Sequence, residues 1–121
     1  MTRRFEADVS VDSGPPVINP KEAARLMRHL AERLAVPHES VGVLFSDDAR
    51  MKDLNFRFRG KNRPTDVLSF PAGDEGQGPG VPRHLGDIVI SSPTARRQAA
   101  RRRHPASREA RVLLIHGFLH L

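Results

Sequence analysis

The chain has no cysteine, no tryptophan and no tyrosine. Without thiols it can form no disulfide, no thiolate nucleophile and no cysteine-bound zinc, so any metal would rest on histidine, aspartate or glutamate. Six phenylalanines are its whole aromatic content, which restricts base stacking and argues against sequence-specific reading of single-stranded RNA. No apolar run approaches the length of a membrane span. The first ten residues, MTRRFEADVS, hold no apolar core of signal-peptide length. The expectation is a cytoplasmic protein with no membrane contact. Acidic residues are the minority charge, 14 against 20 Lys plus Arg, for a formal net charge of +6. Most of the excess is arginine, and it concentrates between Arg96 and Arg111. Such a run attracts a polyanion such as nucleic acid; the alternative is a solvated helix face that aids solubility.

What is present reads as one domain of 121 residues with alternating structural types. FEADVSVD, 5–12, alternates apolar and polar side chains as a strand does. After the breaker GPPVINP, Asn19 caps a helix with Pro20 at its first position and Glu22 at capping-box spacing. Ala23, Leu26, Met27, Leu30 and Leu34 give this helix one apolar stripe. VGVLFS, 41–46, is a second strand. Ser46 or Asp47 caps a short helix ended by Gly60, and TDVLSF, 65–70, is a third strand. GDEGQGPGVPRH, 73–84, is a Gly/Pro-rich loop, and LGDIVIS, 85–91, is a fourth strand. Ser92-Pro93 opens an Arg-rich helix that must break before Pro105. A final helix follows, apolar almost all round from Val112. The order β-α-β-α-β-β-α-α predicts an α+β (α/β layer) fold with a mixed four-stranded sheet and a buried C-terminal helix.

That last helix carries RVLLIHGFLHL, in which His116 and His120 stand four residues apart. Residues at this spacing share a helix face, so two imidazoles there can reach one divalent metal. Alternatively, both rings are structural and each finds a hydrogen bond, since burying them without partners is costly. The helix alone leaves the two readings even. Gly117 stands where the metalloprotease signature H-E-x-x-H carries its glutamate base, which argues against that protease mechanism. Glycine inside a helix costs about 1 kcal/mol relative to alanine, and close approach by another element or a ligand would explain it. Two ligands are also fewer than the three of a usual catalytic zinc. His29, His38, His84 and His104 are isolated in sequence and read as surface or loop residues.

The other dense stretch is LNFRFRGKNRPTDVLSFP, 54–71. Arg57, Arg59, Lys61 and Arg63 surround a helix C-terminus and the loop after it. They could grip phosphate; complementing the helix dipole would account for one of them but not four. With Leu54-Asn55, Phe58-Arg59, Pro64 through Pro71, Leu85-Gly86-Asp87-Ile88, and His116 through Leu121 in this order, the chain from about 44 to 121 resembles the bacterial YbeY family. Residues before that share only the pattern of strand and helix.

The resemblance implies a single-domain, metal-dependent hydrolase, a single-strand-preferring endoribonuclease that acts in ribosomal RNA maturation. It implies zinc held by three histidines, with His116 and His120 as two of them. The third is expected six residues after His120, beyond Leu121. It also implies catalytic roles for Arg59 and His116. The metal would polarise a phosphoryl oxygen or activate water near neutral pH. Arg57, Arg59, Lys61, Arg63, Arg97 and Arg101 are the candidate RNA contacts, with ribosomal RNA and the small ribosomal subunit as partners and no DNA expected. Two other readings stay open. One is a non-catalytic RNA- or ribosome-binding module with structural histidines; the other is a hydrolase of a different substrate on the same site.

Overall fold

The computed structural model describes residues 4–73 and 83–121. Strand β1 spans Glu6–Val11 and β2 spans Ser40–Ser46. They pair in parallel from Glu6↔Ser40 to Val11↔Phe45, which requires the long crossover that helix α1, Pro20–Arg33, provides. Asn19 caps α1 as expected, its side-chain oxygen accepting from the Lys21 N–H at 2.8 Å. Asp47 caps α2, Asp48–Arg59, by accepting from the Arg50 N–H at 2.9 Å. Gly60 closes α2 in the left-handed conformation, φ 69°, a geometry that glycine adopts without penalty.

The two remaining strands form a hairpin-like pair. β3, Val67–Pro71, runs antiparallel to β4, His84–Ser91, from Val67↔Ile90 to Pro71↔Gly86. β4 also lies parallel to β2. The sheet order is therefore β1-β2-β4-β3, mixed and four-stranded as the pattern predicts. Gly86 has φ 149°, so the glycine of Leu85-Gly86-Asp87 answers a backbone requirement. Most of the 73–84 loop lies outside the described residues, and His84 already belongs to β4.

Alternation along the strands splits the core in two. Val41, Val43, Phe45, Ile88 and Ile90 join the cluster that includes α1 and α4 residues. Leu68 and Val89 pack instead with Met51 of α2, flanked by Leu44, Leu54 and Phe70. α2 therefore covers the opposite face of the sheet from α1 and α4.

Local chemistry moves two expected boundaries. β3 begins at Val67, not Thr65, because the Asp66 carboxylate accepts from the Val67 N–H at 2.8 Å and turns the chain there. Helix α3, Ser92–Arg102, is capped by Ser91, not Ser92; the Ser91 hydroxyl accepts from the Thr94 N–H at 3.2 Å. That hydroxyl also donates to Asp48 at 2.6 Å, joined by the Thr94 hydroxyl at 2.5 Å and the Arg97 guanidinium at 2.6 Å. Asp48 thus ties the start of α2 to the start of α3. Partial burial works to raise its carboxyl, but the bonds from Ser91, Thr94 and Arg97 outweigh it and hold it below its ordinary 3.8.

Helix α4, Ala106–Leu119, departs from the expectation of a buried helix. It buries one side, through Glu109, Ala110, Leu113, Leu114, Gly117 and Phe118. Val112 and Leu119 are exposed, and so are His116 and His120. The apolar composition overstated its burial because α4 is an outer layer on the sheet and is covered on one side only. Its close approach is set by Gly117. A Cβ there would stand 2.8 Å from Ile88 Cγ2 and 3.3 Å from both Ser69 Oγ and Val67 Cγ2. The Ser69 hydroxyl donates to the Gly117 carbonyl at 2.8 Å across the same contact.

Two outcomes follow from this packing. Gly117→Ala gains helix propensity of about 1 kcal/mol but forces overpacking against the fully buried Ile88, so the net should be a loss of about 1–2 kcal/mol. Chemical denaturation measures it; a stabilised variant would show that α4 yields freely. For Asp48, a carboxyl held low in the fold contributes stability above 3.8 that is lost as pH falls through its lowered value. The stability gap between wild type and Asp48→Asn, read from urea midpoints, should therefore be full near neutrality and shrink below about pH 4. A gap that widens on acidification would contradict this account of Asp48.

Candidate nucleic-acid and metal site

Arg59 is the last residue of α2, and the left-handed turn at Gly60 redirects the chain. Asn55, one turn earlier and buried, donates its amide to the Arg63 carbonyl at 2.9 Å. The loop is thereby folded back along the helix end. Arg59, Lys61 and Arg63 converge on a recess of about 410 Å³, whose remaining wall includes Asp66, Thr94 and Gln98. Asp66 is already committed: one oxygen accepts from the Val67 N–H, the other from the Gln98 amide at 3.2 Å. Among the described residues no ion pair joins Arg59, Lys61 or Arg63 to a carboxylate. Three cations around one recess, with the nearby acid engaged elsewhere, suit a phosphate.

The other sequence candidates lie outside this recess. Arg57, two residues before Arg59, points elsewhere on the helix and pairs with Asp53 at 3.2 Å. Arg97 is bound to Asp48 and to the Thr94 hydroxyl at 2.9 Å, so its guanidinium joins helices together. Arg101 is exposed on the last turn of α3. Phe58 meets Phe70 edge to face with ring centres 5.1 Å apart, and neither lines the recess.

His116 and His120 do come together. Their ring centres stand 4.4 Å apart at a 55° tilt, on the exposed side of α4. Two imidazoles side by side in solvent reach suit a divalent ion. No group of three or more His, Cys, Asp or Glu residues able to hold a metal occurs among the described residues. The donor set present therefore fits two positions of a zinc site and lacks the third. The recess lined by Arg59 includes neither histidine. It opens at the start of β3, and α4 lies along the same strand pair, with Gly117 against Val67 and Ser69 and with Leu121 near Gly86.

Sequence reasoning missed Glu109, the carboxylate that seats α4. It is fully buried, held by Arg102 at 2.6 Å and by His104 at 2.6 Å. His104, expected to be a simple surface or loop residue, thus anchors the α3–α4 connection. A buried carboxylate is tolerated only with such partners. In sequence, SREAR looks like a solvated first turn, and nothing in it marks Glu109 as interior. His84 also has partners, Ser40 at 2.8 Å and Asp87 at 3.2 Å. Gln98 gave one faint signal, its i+4 spacing from Thr94 on one face of α3.

The family model of Endoribonuclease YbeY matches residues 16–121. An Endoribonuclease YbeY of Chelativorans sp. (strain BNC1) is 51% identical over 82 residues, covering 68% of this chain and 50% of the relative. One from Synechococcus sp. (strain RCC307) is 45% identical over 100 residues, covering 81% of this chain and 62% of the relative. The chain thus spans between half and two thirds of the length of these relatives. The solution structure of TM1509 from Thermotoga maritima superposes with a TM-score of 0.59 over 95% of this chain and 71% of that one, at 24% identity; it supports the fold alone. No helix among the described residues is long and apolar enough to cross a membrane. The match of the family model over residues 16–121, most of the chain, places it in the YbeY family.

Proposed function

We propose that the protein is a metal-dependent endoribonuclease that hydrolyses phosphodiester bonds of single-stranded RNA in the maturation of ribosomal RNA. Its partners on this reading are ribosomal RNA and the small ribosomal subunit, and it works in the cytoplasm. The observation that carries the reading is the match of residues 16–121 to a family of endoribonucleases. The cationic recess of Arg59, Lys61 and Arg63 supports it on physical grounds.

The chain's own residues divide the work. Exposed arginines at the end of α3 and along α4, among them Arg101, Arg108 and Arg111, attract the RNA backbone through long-range, salt-sensitive charge. Lys61 and Arg63 hold phosphate at the recess, and Arg59 stabilises negative charge that grows on the phosphate as the bond breaks. His116 and His120 would hold zinc with a third donor that is not among the described residues. When bound, the ion supplies Lewis-acid polarisation and activation of water. The fixed spacing of the two rings on one helix face preorganises that site, and Gly117 and Glu109 fix the helix.

A non-catalytic RNA-binding module is the second reading, favoured by the observation that two metal donors, not three, gather among the described residues. Variants of the full-length protein separate the two. Arg59→Ala should lower RNA cleavage by roughly 100-fold or more while weakening RNA affinity by less than about 10-fold; the same loss in both would make Arg59 a docking contact. His120→Ala should abolish bound zinc, measured by elemental analysis, and cleavage with it, while RNA affinity stays within about twofold. If the unmodified protein binds RNA, carries no metal and cleaves nothing, the binding module is the correct account.

A further inference from the structure

Of the six phenylalanines, Phe56 and Phe58 are the most exposed, at 57% and 65%. Both stand near the end of α2. Folding gains little from either ring while it stays in water. Residues two apart on a helix are turned by roughly 200°, so the two rings project on nearly opposite sides and form no common patch. Phe58 differs from Phe56 in what holds it. Its ring meets Phe70 edge to face, with centres 5.1 Å apart at 68°. Phe70 in turn packs on the cluster of Met51, Leu68 and Val89. Phe58 is therefore braced against a ring rooted in the core, while most of its own surface faces solvent. Phe56 has no such ring contact among the described residues.

The surroundings of Phe58 are cationic. Arg57 and Arg59 are its neighbours in the chain, and Lys61 and Arg63 follow the turn at Gly60. Arg57 is engaged by Asp53, whereas Arg59 lines the adjoining recess and Phe58 does not. An apolar patch that docks protein is depleted of charge at its centre, and this one is bracketed by guanidinium groups. Aromatic rings interleaved with cations suit a single nucleic-acid strand, whose bases stack on the rings while its phosphates meet the cations. Consecutive Cα atoms stand about 3.8 Å apart, so Phe58 and Arg59 lie within the span of adjoining nucleotides. A base inside a duplex has both faces covered by its neighbours, and only an unpaired base has a face to give.

We infer that Phe58, braced by Phe70, is a stacking platform that takes the face of one unpaired RNA base beside Arg59. The contact tolerates any base, because every base has a π-face, and it favours a single strand over a duplex. The inference takes its ligand from the proposed RNA-cleaving function. It assigns a contact outside the cationic recess, and binding alone can read it.

The chain has no tryptophan, so Phe58→Trp adds its own fluorescence at the position in question. Titrating this variant of the full-length protein with a short oligoadenylate should quench that fluorescence. The same backbone carrying abasic sites, or a duplex of equal length, should leave it unchanged. Phe58→Ala should weaken oligoadenylate binding about 10-fold while duplex affinity stays within about twofold. Phe58→Leu should lose as much, since it keeps apolar bulk without an aromatic face. Phe56→Ala is the control and should bind as the wild type does. An unquenched tryptophan, or wild-type affinity in Phe58→Leu, would overturn the assignment, and so would equal losses on single strand and duplex. If Phe58→Ala instead abolishes self-association of the protein and leaves RNA affinity unchanged, the ring is a protein contact and the inference fails. Should Phe58→Ala not fold, the tryptophan signal alone decides. Cleavage of single strands at wild-type KM by Phe58→Ala would sink this inference and leave the nuclease reading standing. Quenching in a protein that cleaves nothing would do the reverse.

Discussion

Helix α4 lies as close to the sheet as a glycine allows. Ile88, Val67 and Ser69 occupy the space where any side chain at position 117 would project, and the Ser69 hydroxyl closes the gap with a bond to the Gly117 carbonyl. This contact fixes the depth of the helix. His116 is the preceding residue and His120 is three later, so the placement of both imidazoles follows from it. Glu109 fixes the other end. Its buried carboxylate binds Arg102, the last residue of α3, and His104 of the turn that follows, and removing either partner would leave part of a charge without compensation in the interior. One close approach and one buried ion cluster thus hold a helix whose outer side is left free to carry polar rings.

A second set of bonds builds the recess. Asp48 gathers Ser91, Thr94 and Arg97, so α2 and α3 cannot separate without stripping a carboxylate of three donors. Asp66 repeats the device at the start of β3, bonding the Val67 N–H and the Gln98 amide. Asp66, the one carboxylate in the wall, is hydrogen-bonded by neutral donors and keeps its charge, while Arg59, Lys61 and Arg63 stand around it. The charge balance there is positive because three cations face one carboxylate.

Much of the architecture was legible from periodicity and punctuation. Asn19-Pro20 and Gly60 set the helix limits where they were expected, because caps and left-handed turns are local chemistry. The hairpin-like pair of β3 and β4 followed from strand-loop-strand order. What could not be read was coverage. Val112 and Leu119 are apolar yet exposed, and Glu109 is charged yet fully buried, because burial depends on what lies opposite each residue in space. The site divides the same way. Arg57, Arg59, Lys61 and Arg63 stood out as a cluster within one short segment, though Arg57 pairs with Asp53 outside the recess. Gln98 comes from a distant helix of arginines, and only the tertiary fold brings it to Asp66.

The arginine-rich stretch shows why composition alone would mislead about recognition. Arg96 binds the Pro15 carbonyl, Arg97 binds Asp48 and Arg102 binds Glu109. Three of the most conspicuous cations therefore serve the fold. Arg101, Arg103, Arg108 and Arg111 remain exposed, spread over the α3–α4 corner. Spread charge of this kind draws in any polyanion and distinguishes none. The net charge of +6 thus accounts for attraction to polyanions as a class and selects no one of them.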